Sequence, residues 1–182
     1  MRPPSQLREP RTFWWDRARP ADADAHPLRA VIFDLDALAH VGDDGDMVPR
    51  TGLSDLVMSL FVAGIWVAVV SPRDRTRTET LVRQLVGEGL VETLVTVDDL
   101  AEPGRGVDQW VELYRLVVWE LGITPDSALA FAWSAGGSRA AAAAGLPAVT
   151  ARHDYTGAQA SVSGCRQLHR RWWVRRTRGD VA

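Results

Sequence analysis

Five short apolar runs without polar alternation are the feature that most restricts the fold of this chain. They lie at about 29–33, 65–70, 92–97, 128–132 and 147–151. Strands buried on both faces have this composition, and parallel sheets covered by helices bury their strands in this way. Helical patterns lie between the runs, at about 52–63, 76–87, 107–121 and 138–144. The alternation predicts an α/β domain with a doubly wound, Rossmann-like parallel sheet of about five strands.

The helix boundaries carry recognisable signals. Thr76 followed by Glu79 predicts a capping box at the start of the second long helix. A glycine follows each helical pattern, where a left-handed residue often ends a helix. These glycines are Gly64, Gly87, Gly122 and Gly145.

Composition excludes several classes of protein. The 182 residues suit one domain with its own core and short extensions. A formal net charge of -2 gives no general attraction to nucleic acid or membranes. The longest uncharged stretch, 56–72, is short for a membrane span and changes from a helical to a strand pattern at Gly64. The single cysteine, Cys165, cannot form an internal disulfide, so we predict a cytoplasmic protein.

The chain is predicted to have three parts. Residues 1–27 are rich in Arg, Pro and Trp and form a flexible arm, without the apolar stretch of a secretory signal. Residues 28–151 contain the alternating strands and helices and form the core domain. Residues 152–182 form a C-terminal extension rich in Arg and Trp.

The two ends of the chain suggest further partners. Guanidinium groups beside indole rings suit nucleic acid, an anionic membrane surface or an acidic protein. The simpler interpretation is that the tryptophans pack on the domain while the arginines are solvated. The C-terminal set is Arg166, Arg170, Arg171, Trp172, Trp173, Arg175, Arg176 and Arg178, and the N-terminal set is Arg11, Trp14, Trp15, Arg17 and Arg19.

Polar side chains directly follow two of the predicted strands. In a parallel sheet of this kind, ligands bind at the carboxyl ends of the strands. The first strand runs into Asp34-Leu35-Asp36, and the second ends at Ser71. One carboxylate could attack an electrophile while the other carries protons, or both could hold a hard cation. Equally, Asp34 could cap the loop and Asp36 could be solvated.

Three segments in order resemble the haloacid dehalogenase-like (HAD-like) hydrolase superfamily, especially its phosphoglycolate phosphatase and β-phosphoglucomutase subgroup. They are 30–36, 63–71 and 121–147. In that family an apolar strand precedes two acids, a Ser or Thr follows a second strand, and a Lys or Arg precedes a helix. An apolar strand with an acidic pair then leads into a helix of small residues. The resemblance covers about residues 29–151 and implies a HAD-like core fold.

The resemblance also implies a role for each matching residue. Asp34 would be the nucleophile that forms an aspartyl-phosphate, Asp36 the general acid and base, and Ser71 a hydrogen-bond partner of the phosphoryl oxygens. Arg105 is the nearest candidate for the cation before a helix, although Asp108 is closer to the expected position. In the family, Mg²⁺ bridges the nucleophile, the backbone carbonyl of the second aspartate and an acid of the fourth motif. Asp34 and Asp36 are therefore the predicted metal ligands.

Three positions depart from the family pattern. Ala37 replaces the glycine expected after Asp36, which is acceptable if the backbone there has a negative φ. Ala132 and Trp133 replace the acidic pair, so the Mg²⁺ site is expected to be weakened or lost. An acidic loop could supply a substitute oxygen, although its carboxylates are more simply interpreted as solvated. These are Asp43, Asp44 and Asp46.

No cap domain is predicted. A helix and a strand fill most of the chain between Asp34 and Ser71, leaving about 37–50, which is enough for a flap. Family members of this build act on large substrates or use a neighbouring subunit as a lid. The resemblance therefore implies a phosphorylated substrate that could be macromolecular, and the sequence gives no indication of oligomeric state.

Two functions are left open by the sequence. The first is a Mg²⁺-dependent phosphohydrolase of weak activity that works through an aspartyl-phosphate on Asp34. The second is a catalytically degenerate HAD-like scaffold that acts as a binding or regulatory module. Asp36 and Ser71 favour the first, whereas Ala132 and Trp133 favour the second. So does the composition, because all 21 Lys and Arg positions are arginine and no catalytic lysine exists.

Overall fold

The apolar runs form a central sheet in the computed structural model, which describes residues 27–102 and 104–177. The strands are β1 (Ala30–Asp34), β2 (Ala39–Val41), β3 (Met47–Pro49), β4 (Trp66–Ser71), β5 (Thr93–Thr96), β6 (Ala128–Ala132) and β7 (Ala148–Thr150). The helices are α1 (Leu35–Leu38), α2 (Leu53–Val62), α3 (Arg75–Val86), α4 (Val107–Glu120), α5 (Ala135–Ala143) and α6 (Val162–Thr177). Five strands pair in parallel in the order β5-β4-β1-β6-β7, which places β1 at the centre. The predicted fold class and five-stranded sheet are confirmed.

Both faces of the sheet are covered, which explains why its strands show no polar alternation. Successive side chains of a strand point to opposite faces. Accordingly Val31 and Phe33 enter one core with α2, α3 and α6, while Ile32 enters a second core with α4 and α5. The Phe33 ring stacks on Phe131 with 5.3 Å between centroids and meets the edge of Tyr155 at 5.9 Å. Truncating Phe33 to alanine would cost about 3–5 kcal/mol, the usual range for a buried aromatic side chain.

The glycines predicted to end the helices do so, but two predicted helix starts differ from the structure, since α5 begins at Ala135 rather than at about 138 and the cap of α3 is another residue. The glycines after α2, α3, α4 and α5 all have positive φ, between 63° and 95°, as a left-handed end requires. The start of α3, however, is not a capping box of Thr76 and Glu79. Asp74 is the N-cap instead, because its Oδ1 accepts the N–H of Arg77 at 2.9 Å.

A short antiparallel hairpin of β2 and β3 occupies the predicted flap region. The acidic turn of this hairpin is exposed and includes Asp43, Asp44 and Asp46. Arg50 follows β3 and begins the link to α2. The described part of the chain contains no cap domain between β1 and β4, as the sequence predicts.

The segment after β7 packs on the core. Tyr155, Cys165 and His169 are buried, and the Nε2 atom of His169 lies 2.7 Å from the carbonyl oxygen of Asp126. Along α6 the described arginines are exposed, whereas Trp172 and Trp173 are half-buried and meet edge to face at 5.3 Å. Arg178 and the arm residues 1–26 lie outside the described residues. The division of the chain at residues 27 and 151 stays a prediction.

Candidate active site

Asp34 is held at the carboxyl end of the central strand by main-chain donors. Its side chain is 2% exposed. Oδ1 accepts the N–H of Ala37 at 2.6 Å, and Oδ2 accepts the N–H of Trp133 at 2.7 Å. The carboxylate therefore caps α1 and also joins the ends of β1 and β6, which fixes its position on two sides.

The environment of Asp34 favours its neutral form. The pKa of Asp34 is raised from 3.8 to about 6, mainly by burial and to a smaller extent by the negative charge of Asp36. The two N–H groups from Trp133 and Ala37 and the nearby charge of Arg50 oppose this rise. The carboxyl group consequently changes charge close to neutral pH, in the range where a nucleophile or proton carrier is useful.

Ala37 fits where the resemblance expects a glycine. None of the described non-glycine residues has a positive φ, so the alanine methyl group causes no backbone strain here. The carbonyl of Ala37 accepts the hydroxyl hydrogen of Tyr155 at 2.7 Å. Tyr155 thus ties the segment after β7 to the turn that supports Asp34.

Asp36 lies between two guanidinium groups. Its Oδ1 accepts from Arg73 Nη2 at 2.9 Å in an ion pair in which both side chains are nearly half exposed. Its carbonyl oxygen accepts from Arg50 Nη2, also at 2.9 Å. The side chain can therefore reach a substrate from solvent, while the main chain is fixed by a buried cation.

Ser71 lies at the end of β4, next to β1 in the sheet, and is fully buried. Its Oγ accepts the N–H of Arg73 at 3.1 Å and lies 3.1 Å from Thr78 Oγ1. The single hydroxyl hydrogen of Thr78 goes to the carbonyl of Asp74 at 2.8 Å, so in the contact between the two hydroxyls the Ser71 O–H is the donor.

Arg50 is a buried cation next to these residues, with 3% of its surface exposed. Its guanidinium carbon lies 3.6 Å from the centre of the Trp133 ring, and its Nη1 donates to the carbonyl of His153 at 3.3 Å. Burial lowers the pKa of Arg50 from its ordinary value, and the neighbouring carboxylates of Asp34 and Asp36 oppose this. The side chain remains a cation at neutral pH.

The structure brings together Asp34, Asp36 and Ser71, but not Arg105. Arg105 is exposed in the loop before α4 and forms no hydrogen bond or salt bridge with the described residues. Sequence reasoning missed Arg73 and Arg50, the two cations that do contact Asp36. Arg73 could have been noticed because it follows Ser71 by two positions at the same strand end. No signal in the sequence marks Arg50.

The residues present do not fit a Mg²⁺ ion. Magnesium requires near-octahedral oxygen ligands, usually with one or two carboxylates. The carbonyl of Asp36 is already bonded to Arg50, and the side chains of Ala132 and Trp133 offer no oxygen. Nowhere in 27–102 or 104–177 do three or more His, Cys, Asp or Glu side chains group in a way that could hold a metal ion.

Sequence comparison gives one curated relative and no family model. Protein CbbY of Cereibacter sphaeroides is 31% identical over 116 residues, which cover 62% of this chain and 49% of the relative. The chain therefore spans about half the length of the curated relative that it matches. No family model matches the chain.

The similarity to solved structures covers more of this chain than the sequence match does. A crystal structure of CbbY from Rhodobacter sphaeroides in complex with phosphate superposes with a TM-score of 0.60 at 17% identity, covering 76% of this chain and 99% of that one. The candidate β-phosphoglucomutase of Thermotoga maritima superposes with a TM-score of 0.59 at 15% identity, covering 75% of this chain and 91% of that one. The candidate haloacid dehalogenase-like hydrolase of Bacteroides fragilis superposes with a TM-score of 0.59 at 14% identity, covering 72% of this chain and 91% of that one. The chain has a HAD-like fold.

The HAD-like resemblance predicted from the motifs is thereby confirmed, in fold and in similarity to CbbY. For CbbY, the structural match extends over nearly the whole crystallised chain, while the sequence match covers about half of the curated protein. Detectable sequence similarity therefore covers less of the relative than the shared fold does.

Among the described helices, none is both long and apolar enough to cross a membrane.

Proposed function

We propose that this chain is a HAD-like phosphohydrolase in which Asp34 attacks the phosphorus of a phosphate ester. The position of Asp34 carries the proposal: a buried carboxylate at the end of the central strand, fixed by two main-chain N–H groups. The similar protein CbbY has been crystallised with phosphate and, as a mutant, with xylulose-(1,5)bisphosphate. These complexes support a phosphorylated substrate for this chain as well.

The reaction follows from the arrangement of the two aspartates. An Asp34 carboxylate oxygen attacks phosphorus, the bond from phosphorus to the ester oxygen breaks, and protonated Asp36 gives its proton to the leaving oxygen. A water molecule then transfers a proton to Asp36 and attacks the phosphorus of the aspartyl-phosphate. Inorganic phosphate leaves, and Asp34 is regenerated as a carboxylate.

The neighbouring side chains have supporting roles in this proposal. The Ser71 O–H turns from Thr78 Oγ1 and donates to a phosphoryl oxygen. The Arg73 guanidinium is nearly half exposed, so it can turn from Asp36 toward an incoming phosphate. Arg73 in this way exchanges one anionic partner for another and releases Asp36 for proton transfer.

Several finer expectations from the resemblance stay predictions. A role for Arg105 requires the loop before α4 to approach the phosphate. A Mg²⁺ requirement has no place in the steps above, because the residues at the site do not fit the ion. A macromolecular substrate, a partner at the Arg/Trp-rich ends and a cytoplasmic location are equally untested.

The experiment that tests the function is phosphate release from an aryl phosphate by the full chain. We expect turnover by the wild type and none by Asp34→Asn, which keeps the shape but removes the nucleophile. Asp55→Asn on the exposed side of α2 is the matched control and should retain full activity. Equal rates for the wild type and Asp34→Asn would refute the proposed mechanism.

A binding or regulatory module is the second candidate, and the ion pair between Asp36 and Arg73 favours it. A proton carrier held in an ion pair is less available for catalysis, whereas the same pair can still open to admit an anion. In this case the chain would bind a phosphorylated partner stoichiometrically without turning it over. Measured binding of phosphate in the absence of phosphate release at high protein concentration would support the module over the enzyme.

A further inference from the structure

Arg50 is a buried cation near the carboxylates of Asp34 and Asp36 but without a direct ion pair. It is 3% exposed and forms no salt bridge with any carboxylate in the described parts of the chain. Burial of an unpaired charge is costly, and proteins ordinarily compensate it with an ion pair. Here the direct contacts are two backbone carbonyls and the face of an indole ring, and the carboxylates act only at longer range.

The hydrogen bonds of Arg50 are also incomplete. A guanidinium group has five N–H donors in a planar fork. Nη2 donates to the carbonyl of Asp36 and Nη1 makes a long contact to that of His153. Nε is buried and has no acceptor among the described residues. A buried donor without an acceptor is rare in proteins and points to a ligand that supplies one.

The position of this cation coincides with the two places where the resemblance puts metal ligands. The Asp36 carbonyl, expected to bind a metal ion, binds Arg50 instead. At Trp133, where an acid is expected, the ring lies under the guanidinium at 3.6 Å. An indole face attracts a cation, whereas an acid would be needed to hold a metal ion. Loss of the acid and presence of the arginine are thus two parts of one arrangement.

We propose that Arg50 takes the place of a divalent cation, so that this edge of the sheet binds a phosphoryl group without a metal. The charges at the site agree with this. Two guanidinium groups, Arg50 and Arg73, face two carboxylates, Asp34 and Asp36, and a phosphate oxygen supplies the acceptor that Nε lacks. The ligand class rests on the proposed function, but the metal independence does not rest on turnover.

The first test is calorimetric titration of the full chain with inorganic phosphate, in EDTA and in Mg²⁺. We expect the same affinity in both conditions and an affinity at least about tenfold lower for Arg50→Gln, because a charge-assisted hydrogen bond is lost. Arg83→Gln is the matched control, since Arg83 pairs with Glu88 in a solvent-exposed salt bridge. The proposal is overturned if the wild type binds phosphate only with Mg²⁺, if it binds none, or if Arg50→Gln binds equally well.

The second test removes the internal cation and puts a metal-binding acid back in its place. The double variant Arg50→Gln with Trp133→Asp removes the internal cation and restores an acid at the end of β6. We expect it to bind phosphate in Mg²⁺ and not in EDTA, whereas Arg50→Gln alone gains no metal dependence. If the double variant binds phosphate equally in both conditions, Arg50 does not stand in for a metal.

Two further readouts keep the outcome unambiguous. If Arg50→Gln does not fold, Arg50→Lys retains the charge but lacks the planar Nε edge, and we expect about tenfold weaker binding from it. Unchanged binding by Arg50→Lys would overturn the role of Nε. Turnover combined with phosphate binding that requires Mg²⁺ would support the proposed function and refute this inference, while metal-free phosphate binding without turnover would do the opposite.

Discussion

The guanidinium group of Arg50 stacks on the ring of Trp133, with 3.6 Å between the guanidinium carbon and the ring centre. The two residues come from different elements, since Arg50 follows the hairpin and Trp133 follows β6. His153 completes the contact, with its ring edge-on to Trp133 at 5.4 Å and its carbonyl bonded to Arg50 Nη1. The hairpin is therefore joined to the strand end through a cation and an aromatic face.

Trp133→Leu should weaken phosphate binding in EDTA by about threefold to thirtyfold. The leucine fills space but removes a desolvated cation–π contact, which is worth about 0.5–2 kcal/mol. Trp133→Phe retains an aromatic face and should stay within about threefold of the wild type. Calorimetric titration of both variants with phosphate measures the difference. Equal affinities for the leucine and phenylalanine variants would show that the ring face does not position Arg50.

Asp34→Asn should change how stability depends on pH. In the folded chain the pKa of Asp34 is raised to about 6 from its ordinary 3.8. Below about pH 4 the Asp34 carboxyl group is protonated in both the folded and unfolded states, so its burial does not lower the free energy of unfolding through ionisation. Between about pH 4 and 6 the unfolded state ionises first, so stability is lost as pH rises. Above about pH 6 the loss in the free energy of unfolding is complete, at about 3 kcal/mol.

Urea unfolding at a series of pH values tests this assignment. Asparagine carries no charge, so the stability of Asp34→Asn relative to the wild type should improve between pH 4 and 7. The change with pH is the measured quantity, because asparagine can accept only one of the two N–H bonds and loses a constant amount at every pH. A stability difference that is flat from pH 4 to 7 would contradict a raised pKa.

Tyr155→Phe should destabilise the fold by about 1–3 kcal/mol, because it leaves the buried carbonyl of Ala37 without its 2.7 Å partner. Tyr114→Phe is the matched control. Tyr114 is equally buried, but its hydroxyl has no partner among the described residues. Removing that hydroxyl should be neutral or stabilising. Unfolding midpoints in urea compare the two, and an equal loss in both variants would show that the Tyr155 bond contributes nothing specific.

Arg73→Gln should lower substrate affinity with little effect on stability. The ion pair with Asp36 is nearly half exposed on both sides, so its loss should cost less than about 1 kcal/mol. Binding of a phosphate ester should weaken about tenfold, since a charged hydrogen bond to the ligand disappears. The measurement is KM for an aryl phosphate beside the unfolding midpoint, with Arg83→Gln as the control. A normal KM with a large loss of stability would assign Arg73 a structural role only.

The sheet and its main helices could be predicted because burial on two faces leaves a strong sequence signal. Strands such as β1 and β6 are continuous apolar runs, and glycines end the helices between them. The hairpin was expected only as a flap because β2 and β3 have three residues each and little apolar content. The helix α6 was interpreted as an extension because its arginines mask the few side chains, including Cys165, that pack on the core.

The candidate site could be predicted only where its residues follow strands. Asp34, Asp36 and Ser71 lie at strand ends, so the fold alone places them at one edge. Arg50 contacts Asp36 and Trp133, which are far from it in the sequence, and no local sequence pattern predicts such contacts. The absence of acids at 132 and 133 was visible in the sequence, but the cation in their place required the tertiary structure.

The support of Asp34 by the main chain of Trp133 makes the position of the carboxylate independent of the side chain at residue 133. Because the N–H of residue 133 holds the carboxylate, every residue except proline can supply this donor at that position. An acid and an indole can therefore be exchanged there without displacing the central aspartate. The choice between a metal ion and an internal cation can then change while the placement of the central carboxylate stays the same.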